Sequence, residues 1–131
     1  MKWNWIFVGA IVGALAVTCG AFAAHGLKDR LTPEQMEWWR TGVLYHALHA
    51  PVIVLAGWMD RARGEASDAA ARSRARMAAT AFFFGVVIFS GTLYAMALGG
   101  PRFLGAITPI GGVLLIVGWV GLALRGLRSS V

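Results

Sequence analysis

Charged side chains are scarce in this sequence. Only 14% of the 131 residues are charged and 58% are hydrophobic, whereas about a quarter of the residues in an ordinary soluble domain are charged. Four uncharged runs of 19 to 22 residues stand out, at 3–24, 41–59, 77–98 and 103–124. A helix of about 20 apolar residues crosses a bilayer, so each run is long enough for one span. Too few residues remain for a second core, which excludes a soluble enzyme or nucleic-acid-binding domain.

The runs therefore predict an all-α fold. We expect one domain over residues 1–131, an integral membrane bundle of four transmembrane helices that run up, down, up and down. Thr32, Pro33 and Gln35 form the pattern of a capping box with proline at the first helical position. The second helix is thus expected to begin in the membrane interface, before its apolar run starts at Thr41.

Residues that carry catalysis are missing as well. Cys19 is the single cysteine, which excludes an intramolecular disulfide, and all six carboxylates lie outside the runs. The sequence shows no Ser/His/Asp set, glycine-rich phosphate loop or paired carboxylate. We expect no enzyme activity, no cofactor and no metal.

The basic residues explain the net charge of +6 without nucleic acid. They lie between the apolar runs, and eight against four favour a topology with both termini cytoplasmic. The longest linker and its edges hold five arginines expected to contact lipid headgroups: Arg61, Arg63, Arg72, Arg74 and Arg76.

The first run carries small residues on one stripe, Gly9, Gly13, Ala16 and Gly20. Such stripes let helices approach closely in lipid, and packing within the bundle is favoured over a dimerisation face.

The segment 21–23 resembles a signal-peptide cleavage site, but the run is longer than a usual signal core. An uncleaved first helix is therefore the favoured interpretation.

Two prolines fall inside spans. Pro51 in the second helix and Pro109 in the fourth each lack a backbone donor, so a bend is predicted near both, and the first third of the fourth helix is expected to be bent or broken.

The polar residues of the spans, with Thr80 as the main exception, share one leaflet, because an up-and-down order places them in the half nearest the first loop. Burying them against lipid is costly, so we expect a hydrogen-bonded cluster that faces inward. The candidates are His25, Tyr45, His46, His49, Ser90, Thr92, Tyr94 and Thr108.

His46 and His49 lie three residues apart, hence near one helix face. They could ligate a metal or relay protons, but two histidines are half a zinc site and no carboxylate lies in the spans to complete it. Hydrogen bonding to a neighbouring hydroxyl or carbonyl is the favoured interpretation.

Several motifs resemble one known family in the correct order. They are GAFAAHGL at 20–27, WRTG at 39–42 with Tyr45 and His49, FSGTLY at 89–94, ITPIGG at 107–112 and Gly118-Trp119. Together they resemble the domain of unknown function 423 family, small four-helix inner-membrane proteins similar to transmembrane protein 256 of animals. The sequence departs from the family pattern at Ala23, where glycine is usual, and at His46, where another polar residue is usual.

The favoured function is that of a structural or accessory membrane component, associated with lipid and with another membrane protein or further copies of itself. The alternative is a transporter or channel-like protein for a small solute, proton or ion that uses the polar cluster. The expected location is a bacterial inner membrane, with a mitochondrial inner membrane as the less favoured site.

Overall fold

A computed structural model describes residues 3–61 and 69–127. It contains four helices, α1 (Trp5–His25), α2 (Pro33–Arg61), α3 (Ala69–Ala97) and α4 (Leu104–Gly126). All four are long and apolar enough to cross a membrane. The predicted all-α bundle with four membrane-spanning helices is confirmed.

The ends of the helices follow from local sequence. Thr32 accepts a hydrogen bond at Oγ1 from the backbone N–H of Gln35, and its own N–H donates to Gln35 Oε1. This reciprocal capping box begins α2 at Pro33, ahead of the apolar run, as predicted.

A glycine ends α3. Gly99 adopts a φ of +93°, its N–H donates to the carbonyl of Met96, and the N–H of Gly100 donates to the carbonyl of Ala95. These are the two hydrogen bonds of a Schellman motif, and the left-handed residue it needs is a glycine. The short turn that follows brings α4 back beside α3.

The helices pack with α2 and α3 at the centre, α1 against α2 and α4 against α3. The main core contains Ile53 and Ala56 of α2 with Ala78, Ala79 and Phe82 of α3. Four of its ten buried residues are alanines, and such small side chains let helices approach closely.

The predicted small-residue stripe of α1 faces α2. A Cβ on Gly9 would lie 2.7 Å from the backbone nitrogen of Val54, and one on Gly13 would lie 3.7 Å from the Cβ of Ala50. Ala16 is buried, and Gly20 faces Val43 at ordinary contact distance. The stripe therefore packs within the chain.

Both prolines lie inside continuous helices, Pro51 in α2 and Pro109 in α4. α4 runs continuously from Leu104 to Gly126, so of the two predicted forms, bent or broken, only the bent form stays open. Pro109 removes one backbone donor, which a membrane helix tolerates where neighbouring groups satisfy the freed carbonyl. The bends remain predictions.

Candidate functional site

Two ends of the bundle are distinguished by their ion pairs. Glu34 and Arg102 approach to 3.4 Å at the end that carries the α1–α2 and α3–α4 connections, here the loop end. Asp60 and Arg76 approach to 3.2 Å at the opposite, terminal end, where Trp3 also lies. The polar side chains of the spans lie between these two ends.

Tyr94 of α3 is a meeting point of three helices. Its hydroxyl lies 3.1 Å from Nδ1 of His46 in α2, and Cys19 of α1 packs against the same cluster of side chains as Tyr94. Trp39 of α2 packs against the Tyr94 ring and donates its indole N–H to the carbonyl of Cys19 over 3.0 Å. We call these four residues the Tyr94 set.

Ser90 adds a second contact between α2 and α3. Its hydroxyl donates to the carbonyl of Gly42 over 2.8 Å, and the residue is only 1% exposed. A Cβ on Gly42 would lie 2.8 Å from the ring of Tyr94, so glycine at this position gives the ring its space.

His49 connects α2 with α4. Its Nδ1 lies 2.7 Å from the carbonyl of Tyr45, and its Nε2 lies 3.2 Å from the indole nitrogen of Trp119. A carbonyl only accepts and an indole N–H only donates, so the two partners select the neutral tautomer with its proton on Nδ1. Both ring nitrogens are in use.

Thr92 and Thr108 connect α3 with α4 through their hydroxyls, 2.7 Å apart. Each hydroxyl also lies within hydrogen-bond distance of a carbonyl of its own helix, Thr92 of Ile88 and Thr108 of Leu104, but each has only one proton to donate. One hydroxyl therefore uses its proton on the helix and accepts from the other, which satisfies both groups away from water.

Among the described residues, the hydrogen bonds of the predicted cluster form four groups: Tyr94 with His46, Ser90 with Gly42, His49 with Tyr45 and Trp119, and Thr92 with Thr108. His46 and His49 differ by three positions, about 60° around the helix, and this rotation directs His46 toward Tyr94 of α3 but His49 toward Trp119 of α4. His25 is exposed at the end of α1 and joins none of the groups. Tyr45 takes part through its carbonyl, while its ring packs against Phe89.

Trp39, Cys19 and Trp119 were not among the sequence candidates for this cluster. A signal for Trp119 was present, because it follows Leu115 by four residues and Thr108 by eleven, and these two are buried. That spacing places all three on one helix face. Tryptophan near the end of a span is usually an interfacial anchor. This interpretation of Trp119 is why its place on the same helix face as Thr108 and Leu115 was missed.

Five arginines were predicted to contact lipid headgroups. Those that the structure describes lie at the terminal end of the bundle or beside it. Arg76 pairs with Asp60, and Arg61 and Arg72 line a crevice with them. Arg74 is half-buried. Arg63 lies outside the described residues.

Metal-ligating side chains do not gather within residues 3–61 and 69–127. No group of three or more His, Cys, Asp or Glu residues there is arranged to hold an ion. His46 and His49 direct their rings to different helices, so they do not form a pair of ligands for one ion in this arrangement.

Comparison with known proteins places the chain among bacterial membrane proteins. A family model described as Protein of unknown function (DUF423) matches residues 19–112. A UPF0382 membrane protein of Staphylococcus epidermidis is 40% identical over 126 residues, which cover 96% of this chain and 97% of that protein. The UPF0382 membrane protein YwdK of Bacillus subtilis is 38% identical over 125 residues, covering 95% and 96%.

A more distant relative extends over nearly the whole length. A UPF0382 membrane protein of Haemophilus influenzae is 35% identical over 130 residues, which cover 99% of this chain and 98% of that protein. No solved structure matches.

Proposed function

Because this chain belongs to the DUF423 family of membrane proteins of unknown function, we propose that it acts as a structural or accessory component of the membrane. In this proposal it has no enzyme activity, and its spans form a fixed scaffold for lipid and for a membrane partner or further copies.

One observation carries the proposal: the buried polar side chains of the spans hydrogen-bond to neighbouring helices. The contacts Tyr94–His46, Ser90–Gly42 and Trp119–His49 each join two helices. Polar groups in a span that conduct a solute must be able to change partners along a pathway. Side chains already paired between helices instead hold the bundle together.

The alternative function, transport of a proton, ion or small solute, has less support. A histidine relay needs a ring nitrogen that is open to a new partner. His49 uses Nδ1 on the carbonyl of Tyr45 and Nε2 on the indole of Trp119. Transport is therefore kept as the alternative that the flux experiment below distinguishes from the scaffold.

Location and orientation complete the proposal. We place the protein in a bacterial inner membrane with both termini cytoplasmic. The support is the excess of basic residues in segments on the side of the termini, eight against four. The bacterial relatives support the choice of organism class.

The outer helices are the proposed surface for a partner. α1 is the least covered span, with 17% of its apolar window buried, and α4 follows with 28%. In lipid, such surfaces associate with other spans through packing and hydrogen bonds. Gentle extraction followed by cross-linking is expected to capture a membrane protein or a second copy through these helices, and free monomers alone would contradict this part of the proposal.

The function is tested by flux in proteoliposomes. The purified chain, reconstituted with a pH-sensitive dye inside, is expected to pass protons no faster than empty vesicles after a pH step. The H49F variant serves as the matched sample. Proton or ion flux above that of empty vesicles, lost in H49F, would replace the scaffold with a transporter.

A further inference from the structure

A groove lies between α3 and α4 at the terminal end of the bundle. It encloses about 490 Å³ and is open at the side. Its walls are formed by Met77, Thr80, Ala81 and Phe84 of α3 with Leu114 and Val117 of α4. The hydroxyl of Thr80 donates to the carbonyl of Arg76, which leaves a largely apolar surface toward the groove.

The groove has one polar mouth. Ser73 and Arg76 line it on the N-terminal side of Met77, where the apolar run of α3 begins. Residues 73, 77, 80 and 84 follow one another at spacings of four, three and four, and Arg76 lies four positions before Thr80, so mouth and wall lie on one side of the helix. A side chain that ends an apolar run in this way lies at the level of the lipid headgroups.

Arg76 also lines a second, more polar cavity. This crevice encloses about 290 Å³ and is bordered by Trp3, Asp60, Arg61, Arg72 and Arg76. Among the described residues that line it, three arginines face one carboxylate, which leaves an excess of positive charge. The Arg76 side chain is 58% exposed and contacts Asp60 through Nη2 alone. A guanidinium has five donors, so several remain for an anion.

We propose that the groove and crevice bind one anionic phospholipid, with an acyl chain along α3 and α4 and the phosphate on Arg76. From Met77 to Phe84 the helix rises about 10 Å, against about 15 Å of hydrocarbon in one leaflet. The groove is therefore long enough for most of the length that one acyl chain spans in its leaflet. The charge of the crevice selects an anionic headgroup over a zwitterionic one.

The experiment is native mass spectrometry of the purified full chain with dioleoyl phosphatidylglycerol or dioleoyl phosphatidylcholine, which share their acyl chains. The wild-type chain is expected to retain phosphatidylglycerol in preference. R76Q is expected to weaken that binding about fivefold, the factor that one basic side chain contributes near an anionic surface. R102Q removes an exposed arginine at the loop end and is expected to change nothing.

The apolar half of the site is tested by filling the groove. V117W is expected to lower retention of both lipids, because its indole occupies the place of the acyl chain. V120W is the matched control, since Val120 is an exposed residue of α4 that does not line the groove. This pair keeps the proposal testable if loss of the Asp60 contact unfolds R76Q.

Four results would overturn the proposal. Equal losses of phosphatidylglycerol binding in R76Q and R102Q would show that the effect of charge is not specific to Arg76. Equal losses of lipid retention in V117W and V120W would show that the acyl chain does not occupy the groove. Displacement of phosphatidylglycerol by inorganic phosphate would assign the mouth to a free anion. Loss of a co-purifying membrane protein in V117W, with lipid retention unchanged, would assign the groove to a helix.

Discussion

Trp119 of α4 donates its indole N–H to Nε2 of His49 in α2 over 3.2 Å, although α4 packs mainly against α3. The same imidazole reaches the carbonyl of Tyr45 through Nδ1. A second proton on the ring would make Nε2 a donor, so it could no longer accept from the indole N–H of Trp119. The pair therefore fixes both the tautomer of His49 and the position of α4 relative to α2.

Removal of the Tyr94 hydroxyl tests the Tyr94 set. Y94F keeps the ring against Trp39 but loses the hydrogen bond to His46. Interhelical hydrogen bonds in membranes average about 0.6 kcal/mol and reach about 1.7 kcal/mol. The free energy of unfolding in bicelles is expected to fall by an amount in this range.

Y45F is the matched control, because the described part of the chain gives the Tyr45 hydroxyl no partner and its ring packs against Phe89. It is expected to leave the free energy of unfolding unchanged. Equal losses of unfolding free energy in Y94F and Y45F would show that the hydroxyl of Tyr94 does not stabilise the contact between helices.

Helix contact at Gly111 leaves no room for a side chain. A Cβ there would collide with the backbone of Phe89 in α3, so G111A is expected to cost about 1–3 kcal/mol of unfolding free energy by forcing α3 and α4 apart. G91A is the control. Gly91 lies in α3 with nothing within 4 Å of an added Cβ, so alanine is expected to be neutral or to stabilise α3 by up to about 1 kcal/mol. Similar losses in both variants would contradict the close approach.

The capping box of α2 gives a local prediction. T32A removes the acceptor of the Gln35 N–H and is expected to cost about 1 kcal/mol at the start of the helix. Amide hydrogen exchange is expected to quicken over residues 34–36 and to stay unchanged near Ile53. T32S restores the acceptor and is expected to restore protection; failure of serine to do so would show that the hydroxyl is not what holds the first turn.

The proposed topology is tested with reporter fusions. A green fluorescent protein fused after Val131 is expected to fluoresce, and an alkaline phosphatase at the same position is expected to be inactive, because both termini are proposed to be cytoplasmic. Fusions in the loop near Asp29 are expected to give the opposite pattern. An active phosphatase at Val131 would reverse the orientation.

The sequence was sufficient to predict the helices. Uncharged runs long enough for a bilayer mark the spans, and Thr32 with Gln35 marks the start of α2. The helical spacing of Gly9 and Gly13 also predicted a small-residue stripe, which the structure places against α2. These features depend on neighbours along one helix, where spacing alone determines position.

The partners of the polar side chains could not be predicted in the same way. Depth along a helix follows from sequence position, whereas the rotation of each helix is set by packing against the others. His46 and His49 lie at similar depth, yet a rotation of about 60° gives them different neighbours. The partner of His49 is Trp119, which composition alone associates with the membrane interface.

A double-mutant cycle on His49 and Trp119 tests most directly whether the buried polar side chains tie the helices together. The unfolding free energies of the wild type, H49F, W119F and the double variant are measured in bicelles of one composition. We expect a coupling energy of about 0.6 kcal/mol, because either single change removes the one hydrogen bond that the two residues share. Strictly additive losses of unfolding free energy, with no coupling between the two positions, would contradict the proposal that these side chains hold the spans together as a scaffold.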